Sequence, residues 1–366
     1  MAAPPVPEEE GGGSPSPPLR RPEGGGRSGE RGAGSGEQGA GNGERGRMRR
    51  CAVREGMSMI EELRADRFRV EVAAPRGFRQ AFVREGVGGV PLLLVHGWPE
   101  TKRIWWRNIG VLAAAGFEVI APDLRGFGDS EVGPDGFHDV PSHARDLYAL
   151  VHDVLGHERV VAVGGDLGGP VIQDLSLRYP GFVDRMVLFN SPLPYDRELM
   201  AGLRTRSPRE AMDYYIRQGT DADGLVAELA TPEMRRRYIA TFYTSRFWAH
   251  PGAFTQEAVE FMTEPFADGA KLRASFGAYE ASFRESARSE PSAMAAPNPT
   301  RTLILFGPSD NVIYPDFDLM AARVFPEHAG PFLLRDCGHF VQWEAAHALN
   351  SAVIAWCGDL LAGRRR

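Results

Sequence analysis

The sequence predicts an α/β protein with an eight-stranded, mostly parallel sheet, helices on both faces and an inserted helical cap. Short apolar segments alternate along the chain with amphipathic segments of helical periodicity. This alternation stops near residue 190, and the chain to about residue 299 is helical in pattern and rich in aromatic and charged residues. The alternation then resumes at residue 302. Such a rhythm is typical of a parallel sheet covered on both faces.

The predicted strands fall into two kinds. Segments 67–72 and 78–83 alternate in polarity on either side of Pro75 and Gly77, which indicates an antiparallel hairpin at a sheet edge. The other segments are mostly continuous apolar stretches and therefore predict buried strands. They are 91–95, 117–121, 160–163, 183–189, 302–306 and 331–335.

The predicted helices of the sheet domain have start and stop signals of their own. Thr101 is placed to cap a helix that Gly116 ends. A second helix is expected over 142–155, directly before the strand 160–163. A closing helix is expected over 344–361. These helices complete the strand–helix alternation outside the cap.

Composition divides the chain into parts. Residues 1–55 are mainly Gly, Pro, Ser, Glu and Arg, so burial cannot offset the entropy of ordering them, and we expect a disordered tail. Met48, Met57 and Met59 are alternative starts, which leaves open whether residues 1–47 belong to the native protein. The other predicted parts are 56–191 (sheet domain), 192–299 (cap) and 300–366 (sheet domain).

The overall composition argues against several functional classes. The chain has 366 residues, a formal net charge of −6 and a pI of about 5.9, so it has no basic field for nucleic acid. No apolar run reaches the roughly 18 residues of a membrane span, and no secretory signal is recognisable. Three widely spaced cysteines fit no metal or disulfide pattern. We expect a cytoplasmic monomer or homodimer that acts on a small molecule without a cofactor, a metal, a membrane or nucleic acid.

The stretch Val160-Val-Ala-Val-Gly-Gly-Asp-Leu-Gly-Gly-Pro170 predicts a strand, a sharp turn and the start of a helix. The glycines around Asp166 let the helix pack close to the strand while Asp166 adopts a strained backbone. A turn of this kind is a nucleophile elbow, and its usual central residue is Ser. Asp166 in that place predicts a carboxylate nucleophile.

Two further residues follow strands that end at the same edge. Asp310 comes after the strand 302–306, and His339 comes after the strand 331–335. Loops at the carboxyl ends of parallel strands converge, so we expect both side chains near Asp166. Asp316 and Asp318 are alternative acids, but they are expected to begin a helix.

A carboxylate nucleophile determines the chemistry. A serine needs its histidine to remove a proton, whereas a carboxylate with a pKa of about 4 is already ionised and attacks an electrophilic carbon directly. An epoxide or a carbon–halogen bond offers such a carbon, and the product is an ester on Asp166. His339 then activates the water that hydrolyses the ester, and Asp310 orients the imidazole.

Together these motifs resemble a known family. They are His96-Gly-Trp-Pro99, Asp123-Leu-Arg-Gly-Phe-Gly128, Gly164-Gly-Asp-Leu-Gly-Gly169, Asp310 in its turn and Gly338-His-Phe-Val-Gln342. The sequence resembles the epoxide hydrolase and haloalkane dehalogenase branch of the α/β-hydrolases over roughly residues 60–362, and epoxide hydrolases most closely. The resemblance implies the α/β-hydrolase fold, the cap and the aspartate nucleophile.

The resemblance also implies roles beside the nucleophile. The backbone N–H groups of Trp98 and Leu167 are placed to stabilise the oxyanion of ester hydrolysis. His96 is expected to be a structural part of the turn. Some relatives carry their acid after the strand 183–189, where this chain has the uncharged Asn190.

Cap tyrosines are the candidates for the acid. Opening an epoxide produces an alkoxide that needs a hydrogen-bond donor, and epoxide hydrolases use one tyrosine early and one late in the cap. Tyr214 or Tyr215 takes the early position and Tyr279 the late one, with a place in the cap core as the alternative for each. Tyr238 and Tyr243 are further candidates.

Two other functions compete with hydrolysis of epoxides to vicinal diols. A haloalkane or haloacid dehalogenase needs donors for the released halide. The dehalogenase pattern has Trp after the nucleophile and Asn in the turn, where this chain has Leu167 and Trp98. Epoxide hydrolases often carry that Trp too, so Leu167 departs from both patterns. A relative that binds a ligand without turnover is the other alternative, and the intact set of Asp166, Asp310 and His339 argues against it.

Overall fold

The computed structural model describes residues 63–207 and 209–363, so the tail predicted over 1–55 lies outside the described residues. The described strands form one eight-stranded sheet in the order β1-β2-β4-β3-β5-β6-β7-β8. Both pairings of β2 are antiparallel, and all other neighbours are parallel. The strands are β1 (Val70–Ala73), β2 (Gln80–Glu85), β3 (Val90–Val95), β4 (Phe117–Pro122), β5 (Val160–Gly165), β6 (Val183–Phe189), β7 (Thr302–Phe306) and β8 (His328–Leu333).

Helices connect the strands and fill the long insertion between β6 and β7. In the first part of the sheet domain they are α1 (Ile109–Ala115), α2 (Val140–Tyr148) and α3 (Gly168–Arg178). In the insertion they are α4 (Arg209–Thr220), α5 (Ala222–Glu228), α6 (Pro232–Thr244), α7 (Gln256–Thr263), α8 (Gly269–Ser275) and α9 (Gly277–Phe283). After β7 they are α10 (Phe317–Val324), α11 (Val341–Glu344), α12 (Ala346–Trp356) and α13 (Gly358–Gly363).

The centre of the sheet is buried on both faces. Every residue of β4 and of β5 is buried, although successive side chains of a strand point to opposite faces. Continuous apolar sequence is therefore needed in these strands. The fold class and the helical insertion predicted from the sequence are confirmed, while the exact cap boundaries, 192 and 299, stay a prediction.

Several helices are interrupted where the sequence predicts continuous ones. The helix expected after Thr101 is a 3-10 helix over Lys102–Trp105 followed by α1, and both Trp105 and Trp106 are buried. Likewise, α2 continues as a π-helical turn over Ala149–Val154, and the closing helix is divided into α11, α12 and α13.

Polar contacts connect the insertion to the sheet domain. The indole Nε1 of Trp98 donates to Ser275 Oγ at 3.1 Å, and the Tyr243 hydroxyl donates to the carbonyl of Pro99. The backbone N–H of His339 donates to the carbonyl of Trp248 at 2.7 Å. The helical insertion therefore lies over the carboxyl ends of the strands. Among the described residues, no helix is both long and apolar enough to cross a bilayer.

Candidate active site

Asp166 lies in the turn between β5 and α3. Its φ is +43°, in the left-handed region, as expected for the central residue of a nucleophile elbow. A Cβ on Gly168 would lie 2.3 Å from the Val95 carbonyl oxygen, and one on Gly169 would lie 1.8 Å from Ser191 Oγ. Both positions therefore require glycine, because α3 starts in contact with its neighbours.

The two carboxylate oxygens of Asp166 have different partners. Oδ1 accepts a hydrogen bond from the backbone N–H of Trp98 at 2.6 Å. Oδ2 lies 3.1 Å from Nε2 of His339. Leu167 directly precedes α3, so its N–H is near the unpaired N–H groups at the start of a helix. The carboxylate is thus held at one oxygen and faces the imidazole with the other.

Asp310 is the acid that contacts His339. Its Oδ2 lies 2.7 Å from Nδ1 of His339, and its Oδ1 accepts from the backbone N–H groups of Val312 and Ile313. Asp316, one of the alternatives, pairs instead with Arg204. The structure therefore brings together Asp166, His339 and Asp310.

The two carboxylates dominate the electrostatics of His339. Burial by itself would lower the pKa of this histidine, but the charges and hydrogen bonds of Asp310 and Asp166 raise its pKa well above the usual value. The imidazole is therefore protonated at neutral pH while both carboxylates are charged. It then donates from Nδ1 to Asp310 and from Nε2 to Asp166.

Asn190 is a residue of the site that the sequence reasoning missed. It directly follows β6 with a φ of +34°, and its Nδ2 donates to Asp310 Oδ2 at 2.8 Å and to the Gly307 carbonyl at 3.0 Å. Its Oδ1 accepts from the N–H of Gly307. The side chain thus fixes the loop that carries the acid. Its position directly after β6 is the signal in the sequence that could have indicated this role. From the sequence alone, that position is interpreted only as a possible place for the acid.

His96 connects two strand-end loops. Its Nε2 accepts from the backbone N–H of Leu124 at 3.0 Å, and its Nδ1 lies 2.9 Å from the carbonyl oxygen of Gly97. Burial lowers its pKa, so the ring is neutral. Because both nitrogens are engaged by backbone, the arrangement fits the structural role expected for His96.

Glu100 is a buried carboxyl close to the site. Its Oε2 accepts from the N–H of Gly97 at 2.6 Å, and its Oε1 accepts from Nε2 of Gln342 at 2.8 Å. Burial, and then the charge of Asp166, raise the pKa of Glu100 to about 7. The group therefore changes its charge within the physiological pH range.

Two of the predicted cap tyrosines pack against the ring of Trp98, whose backbone N–H binds Asp166. The ring of Trp98 stacks on Tyr214 at 5.6 Å and meets the edge of Tyr279 at 5.5 Å, measured between centroids. Burial raises the pKa of both phenols well above the usual value, and the negative charge of Asp166 raises both further. Both hydroxyls are therefore protonated and able to donate near Asp166.

The other tyrosines have different partners. Burial raises the pKa of Tyr215, whose hydroxyl interacts with Ser282. The hydroxyl of Tyr238 accepts from the side-chain amide of a glutamine in α4, and that of Tyr243 donates to Pro99. Of the early pair, Tyr214 packs against Trp98 and is influenced by the charge of Asp166, whereas the hydroxyl of Tyr215 interacts with Ser282.

Aromatic rings surround Trp98. Phe242, Trp248 and Phe276 lie 4.8, 6.1 and 6.2 Å from it between centroids. The ring of Trp248 also lies 4.6 Å from that of His339. These rings give the site apolar surroundings, in which electrostatic interactions are stronger than in water. Trp248 was not predicted, because its segment has no motif of its own.

Residues 90–346 match the family described as "alpha/beta hydrolase fold". The chain therefore belongs to the α/β-hydrolase fold family. Its elbow, its strand order and its helical insertion agree with this membership.

Its similar proteins include epoxide hydrolases. Over 116 residues, the chain is 40% identical to a soluble epoxide hydrolase from Corynebacterium sp. (strain C12). This match covers 31% of this chain and 38% of that protein's own length. Over 300 residues, it is 27% identical to an epoxide hydrolase from Caballeronia sordidicola. This match covers 74% of this chain and 88% of that protein's own length. The solved structure of the epoxide hydrolase CorEH without ligand superimposes with a TM-score of 0.69 at 24% identity. The superposition covers 80% of this chain and 99% of that one.

Proposed function

We propose that this protein hydrolyses epoxides to vicinal diols through an ester on Asp166. The supporting observation is the geometry of Asp166, with Oδ1 held by the N–H of Trp98 and Oδ2 facing His339. The names of the Corynebacterium and Caballeronia relatives support the choice of epoxides. The individual steps of the reaction follow from the atoms that each of these residues directs toward the substrate.

In the first step Oδ2 of Asp166 attacks an epoxide carbon. The carbon–oxygen bond of the ring breaks, and the resulting alkoxide takes a proton from Tyr214 or Tyr279, two phenols that the charge of Asp166 influences. The attacking carboxylate becomes a neutral ester. Its carbonyl oxygen is Oδ1, which already accepts from the N–H of Trp98.

Ester formation prepares His339 for the second step. The pKa of His339 is raised in part by the charge of Asp166, and alkylation removes that charge. The pKa of the imidazole therefore falls, and its proton returns to the phenolate. A neutral His339 then stands beside the ester as a general base, still oriented by Asp310.

The second step is hydrolysis of the ester. His339 takes a proton from water, and the hydroxide adds to the ester carbon. The negative charge develops on Oδ1, where the N–H groups of Trp98 and Leu167 stabilise it by roughly 3–4 kcal/mol in comparable sites. The bond from carbon to Oδ2 then breaks. The leaving alkoxide takes the proton of the added hydroxyl, which restores the carboxylate and releases the diol.

The site is less suited to releasing halide. The indole N–H of Trp98 donates to Ser275, so it is not free to bind an anion. Two phenols packed on Trp98 suit a developing alkoxide better, because they supply a proton as well as a hydrogen bond. The hydrogen-bonded set of three residues also favours turnover over mere ligand binding.

A trapping experiment tests this proposal. The wild-type protein should convert styrene oxide to its diol and leave 1-bromobutane unchanged. A His339→Gln variant should accumulate an adduct of one substrate mass on the peptide that contains Asp166, detected by mass spectrometry. His152→Gln, a change at a histidine away from the site, should keep turnover. No turnover and no adduct with any epoxide would contradict the proposal, and turnover of 1-bromobutane alone would favour a dehalogenase.

A further inference from the structure

A cap segment, 247–250, lies across the loops that carry Asp310 and His339. The N–H of His339 donates to the Trp248 carbonyl at 2.7 Å, and the N–H of Asn311 donates to the Phe247 carbonyl at 2.8 Å. Both loops are therefore bonded through backbone to the same part of the cap.

Gly338 shows how tight this contact is. A Cβ at this position would lie 2.4 Å from the Trp248 carbonyl oxygen and 2.8 Å from the backbone nitrogen of His250. On the other side, a Cβ on Gly307 would lie 2.2 Å from the carbonyl oxygen of Gly338. The residue before His339 is thus enclosed between the cap segment and the loop of the acid.

One carboxylate fixes this arrangement. Oε2 of Glu344 accepts from the backbone N–H of Gly338 and from that of His250, both at 2.8 Å. Its Oε1 accepts from the N–H of Phe340 at 2.9 Å. Glu344 therefore binds the residues on both sides of His339 and the cap segment at the same time. Hydrogen bonds to a charged acceptor are stronger than those between neutral groups, so the loss of this carboxylate releases the contact.

We propose that Glu344 is a positioning residue that fixes the cap segment 247–250 on the His339 loop and so holds Nε2 of His339 at the nucleophile. The segment carries Trp248, whose ring lies 4.6 Å from His339 and 5.0 Å from Tyr214 between centroids. Trp248 therefore contacts the imidazole with its ring and the His339 loop with its carbonyl, whereas Tyr214 is carried by α4. This inference rests on the proposed function, since it concerns the step in which His339 activates water.

A kinetic separation of the two steps tests the role of Glu344. In Glu344→Gln the amide NH₂ replaces one acceptor and opposes a backbone N–H, so the His339 loop shifts. We expect ester hydrolysis with styrene oxide to slow by about 10- to 100-fold, the range that a misplacement of about 1 Å produces. Alkylation does not use His339 as a base and should change by less than about threefold, so kcat and KM should fall together while kcat/KM holds.

Two further variants separate positioning from general stability. Glu118 is a buried carboxylate at the start of β4, away from the site, that accepts from the N–H of Gly88 and pairs with Arg84. Glu118→Gln should lower stability without accumulating the ester. Glu344→Asp keeps the charge one methylene further back and should recover part of the hydrolysis rate.

Hydrogen exchange supplies a readout that needs no substrate. Peptides covering 247–250 and 338–340 should exchange faster in Glu344→Gln than in the wild type, and should be unaffected in Glu118→Gln. Unchanged exchange, or an equal loss of kcat and kcat/KM, would overturn the inference. If the wild type forms no ester with any epoxide, the proposed function fails. The exchange result then decides alone whether Glu344 holds the two segments together.

Discussion

At the scale of single residues, the charges around Asp166 differ in how they are compensated. Asp166 and Asp310 share the protonated His339, so two buried carboxylates face one cation. Glu100 is equally buried, but its hydrogen-bond partners are the neutral N–H of Gly97 and the neutral amide of Gln342. A buried carboxylate without a cation favours its protonated form. The charge of Glu100 therefore costs stability.

This gives a prediction on pH and stability. The pKa of Glu100 is about 7 in the folded protein and near 4.5 when unperturbed, so the folded state binds the extra proton between these values. Stability from this group is complete below pH 4.5 and is lost as the pH rises through 7, by about 3 kcal/mol in total. Glu100→Gln lacks this loss. Urea unfolding should therefore show the variant gaining about 3 kcal/mol on the wild type between pH 4 and pH 8.

The comparison between the two proteins removes the contributions of titrating groups that do not interact with Glu100. The effect of the new amide on its hydrogen bonds is the same at each pH, so only the slope matters. A difference in unfolding free energy that is constant from pH 4 to pH 8 would show that Glu100 does not titrate in this way.

The sequence made some residues of the site predictable and not others. Asp166, Asp310 and His339 each follow a strand directly, so topology alone brings them to one edge of the sheet. Asn190 and Glu344 act through backbone groups far along the chain, on loops whose mutual distance no local pattern reveals. Such contacts appear only when the fold is complete.

At the scale of elements, the elbow depends on how closely α3 packs against the strands. The first turn of α3 contains Gly168 and Gly169, which lie against the carbonyl of Val95 and the side chain of Ser191. An added methyl group at Gly168 meets backbone, which cannot rotate away. The position of Asp166 therefore depends on the absence of side chains after it.

Gly168→Ala tests this dependence. Alanine favours helices, yet its Cβ would lie 2.3 Å from the Val95 carbonyl oxygen, so α3 must move. We expect a loss of about 1–3 kcal/mol in unfolding free energy, typical of overpacking, together with lower turnover. Denaturant unfolding measures the first and the styrene oxide assay the second.

Gly358, at the start of α13, is the matched control. No atom lies within 4 Å of a Cβ built there, and α13 is far along the chain from the elbow. Gly358→Ala should leave stability unchanged or slightly higher. If Gly168→Ala were as stable and as active as Gly358→Ala, close packing at the elbow would not be required.

Element types were more predictable than their bounds. The continuous apolar strands β3 to β7 agree with the predicted segments to within one or two residues, because burial on both faces requires such a run. The hairpin strands β1 and β2 begin three and two residues later than predicted, and β8 begins three residues earlier, at His328. β1 and β8 are the edge strands of the sheet, each paired with one neighbour, so their bounds are specified less strongly, and the shift of β2 accompanies that of its hairpin partner β1.

At the scale of the whole molecule, the sheet and the insertion have different parts in the proposed mechanism. The sheet presents the proposed nucleophile, acid and base after β5, β7 and β8 respectively. The insertion supplies the phenols of Tyr214 and Tyr279, whose rings pack on Trp98. The apolar and aromatic pattern predicted an insertion of this kind, but the order in which its rings surround Trp98 depends on tertiary packing.

The central claim is that a carboxylate oxygen of Asp166, and not a water molecule, attacks the substrate. A single turnover in H₂¹⁸O with enzyme in excess over styrene oxide tests it most directly. The account predicts that the first diol carries no ¹⁸O, because its new oxygen is Oδ2 of Asp166, while the peptide containing Asp166 gains the label. A first-turnover diol that carries ¹⁸O, with Asp166 unlabelled, would contradict it.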